Sequence, residues 1–496
     1  MTKPKAWKIA GVVFVLCTAT AIPVSAQGFT TLVIFEEGNG ATPYDAFIQG
    51  TDGNLYATTF SGGQPCYCGK VIQMSPSGTV KSLDFGQTDS EPYGGLIQSA
   101  NGTLYGATSV GGVNGEGEVF QLSPAGKFIT LYSFCAQPNC SDGAYPVSGL
   151  AYAADGKFYG TTSSGGDINC NSGRGCGTVF RLTPNGELTT LHSFAGADGD
   201  YPGYGPLIQA TDGNLYGTTY FGGTSNLCTI GCGTLFKVSL SGTFTTIYNF
   251  CSQPGCSDGE VPSGGLVQAT DGGFYGTTQS GGADEVEACN GVGCGTVFRI
   301  AKSGTLTTIH DFQGSDGQYP YSGLVQGTDG NFYGTTYEGG DRECTPYGIC
   351  GTVFQMKPNG SLTSLHTFDV TDGDGPVGGL MQSTNGMFYG TTSQGGFVKG
   401  HCGVYGCGTA FSIDMGLGPF VKTQSDFGRV GSTAIILGTN LTGATSVNFN
   451  GSGAVFKVSS SSEIKATVPT GATTGYVTVT TPSGTLTSNV PFQVLK

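Results

Sequence analysis

Asp212-Gly213-Asn214-Leu215-Tyr216-Gly217-Thr218-Thr219 is one of seven versions of a single phrase in this 496-residue chain. Each version has an Asp-Gly or Asn-Gly turn, one variable residue, Leu or Phe, a tyrosine, and then small and hydroxyl side chains. The tyrosines are Tyr56, Tyr105, Tyr159, Tyr216, Tyr275, Tyr333 and Tyr389, separated by 49, 54, 57, 59, 58 and 56 residues. A repeat of that length, carried by short β-branched and aromatic runs, predicts a radial array of small sheets.

Working outward from the tyrosine, every unit holds four strand candidates. Gly-Leu-(Ile/Val)-Gln comes first, as at Gly95 to Gln98, and the tyrosine phrase second. Gly-Thr-Val-Phe follows, as at Gly177 to Leu182, and then Leu-Thr-Thr-(Leu/Ile)-x-x-Phe, as at Leu188 to Phe194. Tight Gly- and Asn-bearing turns join first to second and third to fourth, because hairpins require the positive φ these residues accept. Stacking four-stranded sheets face to face around an axis buries both apolar faces, which is the β-propeller solution. The final unit stops after its third strand, Gly408 to Ile413, whereas Phe29 to Phe35 matches the missing fourth. The expected fold is therefore all-β: a seven-bladed β-propeller closed by an N-terminal strand, with no open edge.

That alternation sorts the loops onto two sides. The short uniform turns share one, and the long variable connections share the other. Sixteen cysteines fall in the long connections as eight local pairs: Cys66/Cys68, Cys135/Cys140, Cys170/Cys176, Cys228/Cys232, Cys251/Cys256, Cys289/Cys294, Cys344/Cys350 and Cys402/Cys407. An even number in an exported chain favours disulfides over a metal site, although one intervening residue strains a Cys66–Cys68 bridge. Each bridge restricts its loop by about 2 kcal/mol on the chain-entropy model.

Export is read from the start of the chain. Lys3, Lys5 and Lys8 precede the apolar run Ile9 to Ile22, and Val24-Ser25-Ala26 forms a small-residue cleavage site. The expected units are a signal peptide over 1–26, the propeller over 27–416 and a further module over 417–496. Removing 1–26 takes away three lysines and no acid, so the formal charge moves from −14 to −17. Such a chain repels phosphate backbones and anionic lipid, which excludes nucleic acid as a natural partner. No later run predicts a membrane span. The expected location is outside the cytoplasm: secreted, periplasmic or at the cell surface.

No nucleophile elbow, zinc-protease helix, phosphate loop or dinucleotide fingerprint is present, so no catalytic residue and no cofactor is assigned. His192, His310 and His366 hold equivalent fourth-strand positions and do not predict a shared site; His401 lies in a long loop. The Asp-Gly turns at Asp142, Asp198, Asp258, Asp316 and Asp372 supply too few regularly spaced oxygens for an EF-hand-type calcium loop, and turn capping accounts for them. Gln49, Gln98, Gln209, Gln268, Gln326 and Gln382 recur on the first strand, with Tyr152 in the remaining slot. They either ring a channel or satisfy neighbouring backbone groups. Tyr145, Tyr201, Tyr220, Tyr319, Tyr337 and Tyr347 lie on the stapled-loop side and are the candidates for stacking on a ligand.

From about Gly418 the period ends. Ile436-Leu437-Gly438-Thr439-Asn440-Leu441, Val468-Pro469 and Gly475-Tyr476-Val477-Thr478-Val479 closely resemble the IPT/TIG family, which implies an Ig-like β-sandwich without catalytic residues. The repeated region, through Gly-Leu-Ile-Gln, Asp-Gly-Asn-Leu-Tyr-Gly-Thr-Thr and Gly-Thr-Val-Phe, resembles the GloVer tandem-repeat family of exported bacterial proteins over about 28–415. It is also distantly similar to streptogramin lyase propellers, whose catalytic His and Glu find no counterpart here. The expected function is non-enzymatic binding or adhesion, with the stapled-loop face recognising an extracellular glycan or protein. The alternatives are a propeller hydrolase or lyase acting on a polysaccharide, and a structural envelope component.

Overall fold

A computed structural model describes residues 28–63, 68–85, 90–282, 289, 291–340, 349–396, 402 and 405–495. The signal-peptide expectation over 1–26, together with Cys66, Cys344, Tyr347 and His401, lies outside them. Among the described residues the structure is all-β, with a few single-turn 3₁₀ segments. No helix is long and apolar enough to cross a membrane.

Seven sheets repeat one antiparallel order. In the third, Ala151–Tyr152, Phe158–Thr162, Thr178–Leu182 and Leu188–Ser193 lie side by side in chain order. The sheets are numbered here by their tyrosine strands: Leu55–Thr59, Leu104–Thr108, Phe158–Thr162, Leu215–Phe221, Phe274–Thr278, Phe332–Thr336 and Phe388–Thr392. In the seventh, Gly28–Ile34 takes the outer place and pairs antiparallel with Thr409–Asp414, Gly28 opposite Asp414 and Ile34 opposite Thr409. The fourth carries an extra strand, Asp200–Pro202, beside Leu215–Phe221; the sequence phrase did not announce it.

The first strand of every sheet is only two residues long, because the segments before it crowd together. A methyl group on Gly205 would stand 2.0 Å from the backbone nitrogen of Gly265 in the next sheet, so no larger residue fits there.

Two sets of hydrogen bonds, each spanning six of the seven joints, tie sheets to the ones before them. On the short-turn side the amide oxygens of Gln98, Gln209, Gln268, Gln326 and Gln382 accept from the backbone N–H of Thr51, Ala154, Thr211, Thr270 and Thr328, at 2.8 to 3.0 Å. Gln49 of the first sheet accepts likewise from Thr384 of the seventh, at 3.1 Å. Most of these glutamines also donate to their own turn, as Gln326 does to the Gly330 carbonyl. The amides therefore satisfy backbone groups.

On the long-loop side the residue before a proline donates to the carbonyl just ahead of a third strand. Tyr145, Tyr201, Val261, Tyr319 and Gly375 reach Glu116, Cys176, Cys232, Cys294 and Cys350, and Thr42 reaches Cys407 of the seventh sheet. All six donors sit at φ between 54° and 58°, a conformation costing about 1 kcal/mol for a residue with a Cβ. The hydrogen bond and the proline hold them there.

Between sheets, the strand tyrosines pack on the next sheet's phenylalanine, as Tyr333 does on Phe388 at 4.1 Å. The hydroxyls of Tyr56, Tyr159, Tyr216, Tyr275 and Tyr333 donate to the turn aspartate four residues earlier, as Tyr216 does to Asp212 at 2.8 Å. The second module is a sandwich of two four-stranded sheets around Val421, Ile436, Leu441, Val447, Phe449, Ile464, Val477, Val479 and Phe492. It rests on the turns of the first and seventh sheets. Ser462 Oγ donates to the Thr51 carbonyl at 2.9 Å, and Phe420 N to the Thr384 carbonyl at 3.0 Å.

Candidate functional site

Two positions of the repeat build the main cavity. One is the residue after the conserved-place proline: Tyr44, Tyr93, Val147, Ser263, Tyr321 and Val377, with Tyr204 one residue later in the fourth sheet. The other follows the tyrosine strand's last threonine: Phe60, Ser109, Ser163, Tyr220, Gln279, Tyr337 and Ser393. First strands begin, and second strands end, on the side of the long loops, so both positions point their residues to one mouth. There Tyr44, Tyr93, Tyr204, Tyr321 and Val377 from the first position and Tyr220 and Tyr337 from the second line a cavity of about 430 Å³, within the range of small-molecule sites. Its wall includes Tyr44, Tyr93, Tyr204, Tyr220, Tyr321 and Tyr337.

The rings touch in sequence around the wall. Tyr44 stacks on Tyr93 with centroids 4.9 Å apart, and Tyr93 on Tyr204 at 5.7 Å. Tyr204 meets Tyr220 edge-on at 6.0 Å, and Tyr321 meets Tyr337 at 4.9 Å. Gln279 joins the two groups: Tyr220 donates its hydroxyl hydrogen to Oε1, while Nε2 donates to the Tyr321 oxygen at 2.7 Å. Burial pushes the phenols of Tyr93, Tyr220 and Tyr337 up to about 12, with neighbouring acidic groups adding to the effect. At neutral pH the wall therefore offers ring faces and O–H groups, not phenolates.

Among the described residues, one acid lines this cavity and no base does. Asp45 precedes the first strand of the first sheet, is half-buried and lines the cavity. Its Oδ1 accepts from Ala46 N at 2.6 Å, the sole hydrogen bond to the carboxyl among the described residues. Oδ2 lies against Gly95 of the second sheet, where an added methyl would stand 2.3 Å away. Burial pushes the carboxyl up to about 7, and the Ala46 bond offsets this only in part.

The tyrosines singled out from sequence separate into groups. Tyr220 and Tyr337 line the cavity. Tyr201 packs behind it, with ring centroids 6.0 Å from Tyr204 and 6.1 Å from Tyr220. Tyr145 and Tyr319 occupy the strained pre-proline position; Tyr145 is 38% exposed, while Tyr319 packs against a core cluster. Tyr44, Asp45, Tyr93, Tyr204 and Tyr321 were missed. Their signal was Pro-Tyr just ahead of the first strand, at Pro43-Tyr44, Pro92-Tyr93 and Pro320-Tyr321.

The histidines and turn aspartates have other work. His192, His310 and His366 bond Asp198, Asp316 and Asp372 at 2.8 to 2.9 Å, and His192 and His366 also stack on Phe244 and Phe29. In sheets with a cysteine loop, Tyr132 and Tyr248 replace histidine against Asp142 and Asp258. Each of these aspartates caps the backbone of its own loop, as Asp142 does for Ala136 and Gln137. Sulfur atoms are joined in Cys135–Cys140, Cys170–Cys176, Cys228–Cys232, Cys251–Cys256, Cys289–Cys294 and Cys402–Cys407; Cys68 and Cys350 are also bridged. Cys228, Cys232, Cys251 and Glu260 place ligand-type atoms within 4.8 Å of one another, but all three sulfurs are in bridges and offer no thiolate.

The Gloeobacter/Verrucomicrobia repeat model matches residues 6–173, 86–289 and 231–440, and the IPT/TIG domain model matches 419–494. A search of curated proteins finds no match. Among solved structures, a streptogramin B lyase superposes with a TM-score of 0.50 at 14% identity, over 78% of this chain and 97% of that one. A fungal alcohol oxidase of the AA5 family, in complex with copper, does so with 0.53 at 12% identity, over 95% and 100%. At such identities the likeness establishes a shared propeller-type fold and nothing of the chemistry.

Proposed function

The chain belongs to the Gloeobacter/Verrucomicrobia repeat family and carries a C-terminal IPT/TIG domain, and on that premise we propose an exported glycan-binding protein. Its seven sheets are the blades of one wheel, closed where Gly28–Ile34 completes the seventh, and its ligand enters the axial cavity on the stapled-loop face. The paired inter-sheet hydrogen bonds, including those from the first sheet to the seventh, support the wheel. The tyrosine wall carries the functional reading. Six phenol rings offer flat apolar faces for sugar C–H groups, and their hydroxyls offer hydrogen bonds to sugar hydroxyls.

A binding role fits this lining better than hydrolysis, because glycoside cleavage uses two carboxyl groups flanking the bond and the wall presents one. The second reading, a lyase-type enzyme, draws on Asp45, whose carboxyl near neutrality suits general acid–base chemistry. A glycan array probed with the mature chain separates the two. Binding that Tyr321→Ala abolishes, with the glycan recovered intact, supports recognition; a shortened or unsaturated product supports the enzyme. No binding to any glycan removes the proposal.

A further inference from the structure

The charge pattern of the cavity narrows the ligand further, resting on the binding reading above. We propose that the site takes a sugar bearing a free, protonated amino group, a hexosamine instead of its N-acetylated form, with Asp45 as the counter-charge. Three observations carry this.

Among the described residues, Asp45 is the only ionisable group in the lining besides the phenols, and no Lys, Arg or His lines it. A carboxylate taken out of water without a positive partner is unfavourable unless it is protonated or paired. The described residues of the lining offer no such partner, and a cationic ligand would supply it. Oδ1 is engaged by Ala46 N, while Oδ2 has no hydrogen bond among the described residues and remains free to accept from an ammonium group.

The rings point to the same charge. Tyrosine faces carry the negative side of the aromatic quadrupole and attract a cation lying over them. Tyr44, adjacent in sequence to Asp45, stacks with Tyr93 in the wall, so a sugar lying on these rings has its amino group within reach of the acid. An anionic sugar meets repulsion from Asp45 and from a chain of net charge −14. A neutral N-acetyl sugar covers the carboxyl without neutralising it.

Linkage fixes the sign of the pH dependence. The carboxyl of the free protein titrates near 7, and a bound cation lowers that value, so binding near pH 6 releases close to one proton. While the ligand's amino group stays protonated, binding therefore weakens as pH falls below 7, approaching tenfold per pH unit well below that value, until the carboxyl of the complex titrates.

The test is calorimetric titration of the mature chain with a glucosamine tetramer and with its N-acetylated counterpart, between pH 5 and 8. The proposal expects the amino tetramer to bind at least tenfold more tightly at pH 7, with the stated slope. Asp45→Asn is close in shape; it is expected to remove the slope and bring the two ligands within about threefold. The unmodified protein's own pH slope decides the matter should that variant not fold. Equal or tighter binding of the N-acetyl form, or a flat pH profile, overturns the amine assignment and leaves the glycan reading standing. No binding of these or any arrayed glycan overturns both.

Discussion

The two ends of each first strand make an instructive contrast. At the short-turn end, six sheets place glutamine in one slot, and all six make the same bond to the preceding sheet. At the long-loop end, a few residues away, the slot after proline holds Tyr44, Tyr93, Val147, Ser263, Tyr321 or Val377. One end is nearly uniform because six of the seven joints between sheets solve the same hydrogen-bonding problem in the same way. The other varies because residues that differ from sheet to sheet can shape one asymmetric cavity. Within about six residues the repeat separates scaffold from recognition.

The contrast can be broken or sharpened experimentally. The largest effect is expected from deleting residues 28–34, which strips Thr409–Asp414 of its partner strand and removes Phe29 from its stack on His366. Loss of the cooperative thermal transition, followed by circular dichroism, is the expected outcome; an unchanged transition would mean the seventh sheet does not need its outer strand. Next, Tyr321→Ala should weaken the glycan ligand tenfold or more while shifting stability by less than about 2 kcal/mol, since the ring faces a cavity. Titration and urea denaturation of the same variant report the two numbers.

At the other end, Gln326→Ala should cost about 1 kcal/mol in urea denaturation, because it removes the bond to the exposed Thr270 N–H, which water can replace in part. Ligand affinity should not change. A loss of affinity there would merge the two ends into one functional unit.

The smallest effect concerns Asp45. Its folded-state pKa is raised to about 7, so folding loses stability as pH rises from about 4 to 7 and the buried group ionises. Asp45→Asn should therefore raise the melting temperature at pH 8 and raise it less at pH 5. Equal shifts at both pH values would show that the carboxyl carries no burial penalty.

The IPT/TIG module adds a second contrast. Its contacts fall on Thr51 of the first sheet and Met381 and Thr384 of the seventh. These are the two sheets at the opposite ends of the repeated region, and the module touches both on the side away from the tyrosine mouth. It thus braces the joint between the first and seventh sheets without obstructing the cavity.

Much of this was legible in the chain. The phrase around each strand tyrosine located every second strand, and Phe29 to Phe35 identified the strand that fills the seventh sheet, because hydrophobic period and turn chemistry are local properties. The first strands were read too long. Gly95 to Gln98 matched a strand phrase, yet only Ile97–Gln98 pairs, since crowding such as that of Gly205 against Gly265 turns the preceding segment away. The candidate ligand tyrosines fall in different places. Tyr220 and Tyr337 follow their strands into the mouth, whereas Tyr145 and Tyr319 precede the proline and Tyr44, Tyr93 and Tyr321 follow it. A left-handed residue beside proline reverses which neighbour faces inward, and that φ cannot be read from composition.

Sequence alone determined the repeat, its four-strand order, the local cysteine pairs and the Ig-like tail, all set by interactions over a few residues. Only the tertiary structure decided that Tyr44, Tyr93, Tyr204, Tyr220, Tyr321 and Tyr337 share one wall, and that Asp45 stands among them with no basic residue beside it among the described residues. Those residues lie up to nearly three hundred positions apart. The cavity exists because the sheets meet around it, and an acid's environment is set by what gathers in space and not by its neighbours in the chain.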